Sequence, residues 1–153
     1  MQKSYLALGC FWKPEETFRQ ITGVIETEVG YAGGNSSNVN YEEVCTGKTG
    51  HTETVKIIYD EKIIPYEKLL EVFFKIHDPT QKDMQFPDVG TQYRSEIFYE
   101  NEQQKKMAEQ CKNLSSGKFD KKIETKISKI KNYCTAEEYH QKYIMKKINN
   151  VFG

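Results

Sequence analysis

Four cysteines in 153 residues, none of them in a C-x-x-C pair, leave no disulfide framework and no zinc knuckle in this chain. Net charge is lacking as well. Twenty-two basic residues balance 22 acidic ones, with no basic stripe for nucleic acid and no acidic tail. No apolar stretch reaches the ~18 residues of a membrane span, and the run from Tyr5 to Cys10 is too short for a signal-peptide core. Linkers, repeats and low-complexity tracts are missing too, which predicts a single domain over residues 1–153. The hydrophobic fraction is a low 37% against 29% charged residues, a well-hydrated surface, and 10 Tyr and 8 Phe supply the large core side chains. Together these absences set nucleic acid, membrane and bound metal aside. They predict a cytoplasmic protein, monomeric by default, whose cysteines (Cys10, Cys45, Cys111 and Cys134) are single free thiols.

One of those thiols has a special context. Cys10 closes the apolar run Tyr5–Leu8 and is followed by Phe11-Trp12-Lys13-Pro14-Glu15-Glu16. Pro14 fits the first turn of a helix, where its missing N–H has no partner to lose, and Glu15 and Glu16 are first-turn acids. Unpaired N–H groups and the positive end of the helix dipole then face the sulfur and favour thiolate. The aromatic pair Phe11-Trp12 beside it is fit to wall a small apolar pocket. A buried structural cysteine with two core aromatics fits the same segment equally well.

Patterning along the rest of the chain alternates strands and helices. Strands are expected at Lys3–Leu8, at Ile25–Tyr31, at Glu53–Asp60 with Val55, Ile57 and Tyr59 on one face, at Tyr93–Tyr99 and at Ile123–Ile130. Helices are expected at Pro14–Ile21, at Pro65–His77 and at Asn101–Leu114. A last helix is expected from a capping box at Thr135–Glu138 to about Asn149. Gly30–Asn40 and the long polar stretch Asp78–Thr91 read as loops, and His77 reads as a favourable helix C-terminal residue. The expected fold is α+β, a two-layer, ferredoxin-like sandwich in which helices cover a mixed sheet.

Three segments at loops or strand ends carry groups that thiol chemistry can use: Tyr41–Gly47, Gly50-His51-Thr52-Glu53 and Asp88–Ser95. Glu53, at a strand mouth, is a candidate general acid if burial raises its pKa. Tyr41 and Tyr93 are candidate donors to a developing oxyanion, although taken singly each also fits a core or rim position. His51-x-Glu53 matches half of a zinc-deaminase signature, but the required P-C-x-x-C is absent and that reading fails.

The order of the segments carries more information than any one of them. Gly9-Cys10-Phe11-Trp12, Gly30-Tyr31-Ala32-Gly33-Gly34, Tyr41–Gly47, Gly50–Glu53, His77-Asp78-Pro79-Thr80, Asp88–Ser95 and Ala136–Gln141 follow one another in a sequence that closely resembles the A-type peptide methionine-S-sulfoxide reductases. The resemblance runs from Tyr5 to about Tyr143. It implies an enzyme that reduces the S-epimer of methionine sulfoxide, free or in oxidised proteins and peptides, and so repairs oxidative damage. Cys10 would attack the sulfoxide sulfur, and Glu53 would supply the proton its oxygen needs. Tyr41 and Tyr93 would hydrogen-bond that oxygen, Asp88 would order the polar side, and Phe11 and Trp12 would hold the S-methyl group. Attack would leave Cys10 as a sulfenic acid. No bound cofactor is implied. The electrons would come from an external thiol: thioredoxin, glutaredoxin or a small thiol.

Recycling is where the chain departs from the family pattern. Many relatives carry resolving cysteines in a Gly-rich C-terminal tail, and no cysteine follows Cys134 here. Cys134 is the first internal candidate, because it stands beside the expected Thr135 helix cap, where a thiolate is favoured. Cys45, Cys111 and a one-cysteine enzyme reduced directly are the alternatives. Two rival functions remain in view. A cysteine peroxidase gives no reason for Phe11-Trp12 or for an acid at Glu53. A non-catalytic binder of oxidised methionine gives no reason for the full set Cys10, Glu53, Tyr41, Asp88 and Tyr93.

Overall fold

Alternating apolar residues put Leu6 and Leu8, Val29 and Tyr31, and Val55, Ile57 and Tyr59 on one side of three neighbouring strands, and all seven are buried. The computed structural model describes residues 1–152; Gly153, the end of the expected domain, lies outside the described residues. The strands are β1 (Gln2–Leu8), β2 (Val24–Ala32), β3 (Thr52–Tyr59), β4 (Met84–Gln85), β5 (Asp88–Val89), β6 (Ser95–Tyr99), β7 (Lys126–Lys129) and β8 (Cys134–Thr135). The helices are α1 (Trp12–Arg19), α2 (Tyr41–Cys45), α3 (Tyr66–Ile76), α4 (Glu102–Ser116) and α5 (Tyr143–Phe152). Six strands form one sheet in the order β7-β6-β1-β3-β2-β8, and β4 and β5 form a separate small hairpin. β7 runs parallel to β6 and the other pairs are antiparallel, so the sheet is mixed. Its inner four strands, with α1 and α3 as the crossovers, are the expected ferredoxin-like β-α-β-β-α-β unit.

Phe18 of α1, Leu69, Leu70 and Phe73 of α3, and Ala108 and Cys111 of α4 close over one face of the sheet. Fully burying each of the larger ones contributes roughly 1.5–3 kcal/mol, an upper bound because denatured chains already hide some apolar surface. Tyr5, Ala7, Ala32 and Phe98 line the other face, covered by Ile130 and Tyr133. The two-layer sandwich is as expected.

Local departures have local causes. A register shift between Val24 and Glu26 breaks the alternation of β2, so Ile25 faces solvent at 54% exposure instead of joining the core. Only Lys126–Lys129 of the expected strand Ile123–Ile130 pairs with β6. Tyr93 belongs to a 3-10 turn, Thr91–Tyr93, ahead of β6. Tyr41–Cys45 is a short helix that composition hid. Asn40 and Glu43 accept hydrogen bonds from each other's N–H groups at 2.9 and 3.1 Å, a capping box placed inside a Gly/Asn/Ser-rich stretch.

The capping box expected at Thr135–Glu138 does not form. Cys134 and Thr135 instead pair with Tyr31 and Gly30, and the Ala136 N–H donates to the Val29 carbonyl at 3.0 Å. The unpaired edge of β2 wins this segment, and Gln141 finishes the job by bonding both the N–H and the C=O of Val29 at 2.9 and 2.8 Å. A 3-10 turn Glu138–His140 follows, and α5 starts only at Tyr143, after Lys142 at φ 51°. No helix of the described residues is long and apolar enough to cross a membrane.

Candidate active site

β1 runs out at Leu8, and the chain turns at Gly9 to present Cys10 just before α1. Gly9 sits at φ 93°, and a Cβ there would lie 2.9 Å from both Cβ and Cγ of Gln85. Conformation and space both demand glycine. Gly9→Ala is expected to lose ~1–3 kcal/mol of stability and to displace Cys10. Urea denaturation checks this; an unchanged midpoint would contradict it.

The next peptide unit points the Phe11 N–H at Glu53, and its hydrogen bond to Oε1 measures 3.2 Å. Glu53 is the second residue of β3, is 2% exposed, and pairs across the sheet with Tyr31. Burial pushes its carboxyl up to about 8; the Phe11 N–H opposes this and the nearby Asp88 charge adds to it. Glu53 is therefore a neutral carboxylic acid at pH 7, the condition set for it as an acid.

Cys10 departs from expectation. Burial pushes its thiol up to about 11, and the Glu53 and Asp88 carboxylates add to the rise. The Trp12 N–H pulls the other way, as a helix start should, but it is outweighed. The resting sulfur is a thiol rather than a thiolate.

The tyrosines converge on this pair. Tyr41 opens α2, and Tyr93 ends the turn Thr91–Tyr93. The Cys45 thiol beside its hydroxyl raises the Tyr41 pKa most, with burial next; Tyr93 is pushed up to about 12 by burial, then by Glu53, Cys45, Asp88 and Cys10. Both phenols keep their protons across neutral pH and can donate them in hydrogen bonds. Tyr93 is held there by staples. The Thr52 hydroxyl donates to the Gln92 carbonyl at 2.9 Å, and Arg94 bonds the carbonyls of Thr91 and Gly50, both at 3.0 Å.

The aromatic pair divides its labour. Phe11 is 1% exposed and packs behind the site against Tyr31 and His140, so in this conformation it does not present an open face to a ligand. Trp12 is half-buried and stacks on Tyr143 with ring centroids 3.8 Å apart. Its indole N–H donates to His140 Nδ1 at 2.9 Å, which places the His140 proton on Nε2. Glu137 accepts from the Tyr31 hydroxyl and from the Tyr41 N–H, both at 2.8 Å. Glu137, His140, Tyr143 and Arg94 are not distinguished as site residues by the sequence pattern, although Glu137 and His140 lie within Ala136–Gln141 and Arg94 within Asp88–Ser95.

Other sequence candidates fall elsewhere. His51 is buried, bonds the Ser36 carbonyl at 2.7 Å and closes the loop beneath Gly34, where a Cβ would overlap its ring. His77 is not a charged helix terminus. Burial pushes it down to about 4, and its two ring nitrogens bond the Phe73 carbonyl at 2.6 Å and the Ser95 hydroxyl at 2.8 Å. Cys134 has lost its expected helix cap. It lies on edge strand β8, opposite Tyr31 of β2. Cys111 is buried on α4, and Cys45 is exposed at the rim formed by Tyr41 and Tyr93.

A thiol facing a buried, neutral carboxylic acid, with two phenol donors and an indole at its side, defines a thiol-based oxidoreductase for a small substrate bearing a basic oxygen. The model of the family described as peptide methionine sulfoxide reductase matches residues 2–152. The peptide methionine sulfoxide reductase MsrA of Pelagibacter ubique is 54% identical over 147 residues, covering 96% of this chain and 100% of that relative. Reduced Mxr1 from Saccharomyces cerevisiae superposes with a TM-score of 0.91 at 39% identity, over 95% of this chain and 84% of that one. Mxr1 in complex with Trx2 superposes with a TM-score of 0.66 at 28% identity, over 93% and 84% of the two chains. The chain belongs to the peptide methionine sulfoxide reductase family. It is a peptide-methionine (S)-S-oxide reductase, a thiol-dependent enzyme that returns oxidised methionine to methionine and repairs oxidised proteins.

Proposed function

We propose that Cys10 is the nucleophile and Glu53 the acid of this reduction. The observation that carries the assignment is the buried Glu53 carboxyl, kept protonated to about pH 8 and bonded to the peptide unit that follows Cys10. A sulfoxide oxygen leaves sulfur only when protonated, and a neutral acid at the bottom of the pocket supplies that proton. Tyr41 and Tyr93 hydrogen-bond the oxygen as charge grows on it, and Asp88 orders the polar side. The exposed face of Trp12 takes the S-methyl group, with Phe11 packed behind.

In the chemical step the Cys10 sulfur gives two electrons to the substrate sulfur while Glu53 protonates the oxygen and takes back the proton the Cys10 thiol loses. The S–O bond to the substrate sulfur breaks as an S–O bond to Cys10 forms, so methionine leaves and Cys10 holds the OH as a sulfenic acid. An external thiol then attacks that sulfenic sulfur, releasing water and forming a mixed disulfide. A second thiol equivalent breaks the disulfide and restores Cys10. A thioredoxin-type protein is the proposed donor, in line with the Trx2 complex of the yeast relative. Four unpaired thiols suit a reducing compartment, so the cytoplasm is the proposed location of this single catalytic unit.

Cys111 is enclosed on α4, and Cys134 is held in edge strand β8 against β2. Recycling is proposed to be direct, with Cys134 and the exposed Cys45 as the alternatives the thiol count decides. One turnover without reductant is expected to remove one titratable thiol both from the wild type and from Cys134→Ser. Two thiols lost by the wild type would overturn direct recycling, and the cysteine whose replacement restores the single loss would be the resolver.

A further inference from the structure

A groove opens beside Cys10, and apart from Cys10 and Asp88 its lining has no part in the chemistry above. It holds about 450 Å3 and is lined by Cys10, Lys13, Thr17, Ile76, Phe86 and Asp88, among others. Its walls are α1, the C-terminal end of α3 and the hairpin of β4 and β5.

Two of its lining residues are unusual for a free surface. Phe86 is 75% exposed and Ile76 37%, large apolar side chains lining the same groove as the reactive sulfur. The hairpin that carries Phe86 is anchored. The Phe86 N–H donates to Gln81 at 2.7 Å, Gln85 bonds both the N–H and the carbonyl of Asp78, and the Gly90 N–H reaches the Asp83 carbonyl at 2.9 Å. Gln85 also packs on Gly9, so the position of Phe86 is tied to the turn that presents Cys10. Lys13 stands exposed among these residues and, among the described residues, forms no ion pair.

We propose that this groove binds the residue next to the oxidised methionine in a peptide substrate and selects an apolar side chain there. The inference rests on the assignment of Cys10 as nucleophile. Once the sulfoxide has reached Cys10 and its methyl has reached Trp12, the substrate backbone must stay outside, and the groove begins at Cys10 itself. A neighbouring Leu or Phe side chain has room to lie in it against Phe86, Ile76 and the aliphatic part of α1. The Lys13 ammonium repels a basic neighbour. The free amino acid has no group to place there.

The test compares kcat/KM for Leu-Met(O)-Leu, Ala-Met(O)-Ala and Lys-Met(O)-Lys peptides, all in the S configuration, with dithiothreitol as reductant so that no protein donor takes part. The Leu peptide is expected to exceed the Ala peptide about tenfold, with the Lys peptide below both. In Phe86→Ala the Leu/Ala ratio is expected to fall to about twofold; being a ratio within one variant, it is insensitive to any loss of folded protein. Equal values for the Leu and Ala peptides would overturn the groove proposal while leaving Cys10 chemistry intact. So would a Phe86→Ala variant that keeps the ratio but loses thioredoxin-driven turnover, since the groove would then belong to the reductant. No turnover of any peptide would strike the underlying assignment, and the groove with it.

Discussion

Cys10→Ser is expected to release no methionine from a methionine-S-sulfoxide peptide, in single turnover or in steady state, a fall of at least about 10⁴-fold. The substitution exchanges one atom, yet removes the group that gives up two electrons and holds the transferred oxygen. Serine cannot form a sulfenic acid. Fold and pocket should survive, because Cys10 is only partly buried and the Gly9 turn, the Phe11 N–H bond to Glu53 and the Trp12–His140 pair do not involve its sulfur. The variant is therefore expected to bind sulfoxide peptide while leaving it unreduced. Mass spectrometry of the reaction mixture checks the chemistry, and Trp12, the single tryptophan, reports binding by fluorescence. Residual turnover within tenfold of wild type would remove Cys10 from the mechanism.

Glu53→Gln is expected to cost about 10²–10⁴-fold in the rate of methionine release, the usual contribution of a positioned acid. The amide keeps the shape and the bond from Phe11 but has no acidic proton. The pH profile separates this from a packing effect. Wild-type release should fall as pH rises through about 8, where Glu53 loses its proton, and that limb should vanish in Glu53→Gln. The stability sign runs the same way. The folded-state pKa lies above the ordinary carboxylate value, so the fold binds the proton more tightly than the unfolded chain does. Wild-type stability is full below the ordinary range and declines as pH rises towards about 8, a slope that the glutamine variant should lack in denaturation at pH 6 and pH 9.

The parts of this architecture written in period-two and period-3.6 patterns were legible from sequence. Val55, Ile57 and Tyr59 fell on one buried face, and Leu69, Leu70, Phe73 and Phe74 made the inner stripe of α3, because burial of a continuous face dictates those spacings. What failed was decided by partners distant in the chain. Thr135–Glu138 has the local chemistry of a helix cap, but it lies beside the open edge of β2, and Gln141, 112 residues from Val29, bonds that edge too. The Cys10 environment failed for the same reason. A helix start lowers a thiol pKa locally, while the burial and the carboxylates that raise it arrive from β3 and β5. His77 does end α3, as its position predicts, while its enclosure by Phe73 and Ser95 depends on contacts that the sequence does not expose. The candidate residues Cys10, Glu53, Tyr41, Tyr93 and Asp88 lie near enough to shift one another's pKa values. The layer behind them, Arg94, Glu137, His140 and Tyr143, acts through hydrogen bonds and stacking that no spacing rule exposes.

The central claim is that oxygen passes from the substrate to Cys10 beside a neutral Glu53. Its most direct test is one equivalent of methionine-S-sulfoxide peptide mixed with pre-reduced wild-type protein and dimedone, without reductant, followed by peptide mapping. The expected result is one methionine per protein, one dimedone adduct on Cys10, and neither product with the R-epimer. Methionine release with the adduct on another cysteine, or no release at all, would contradict the account.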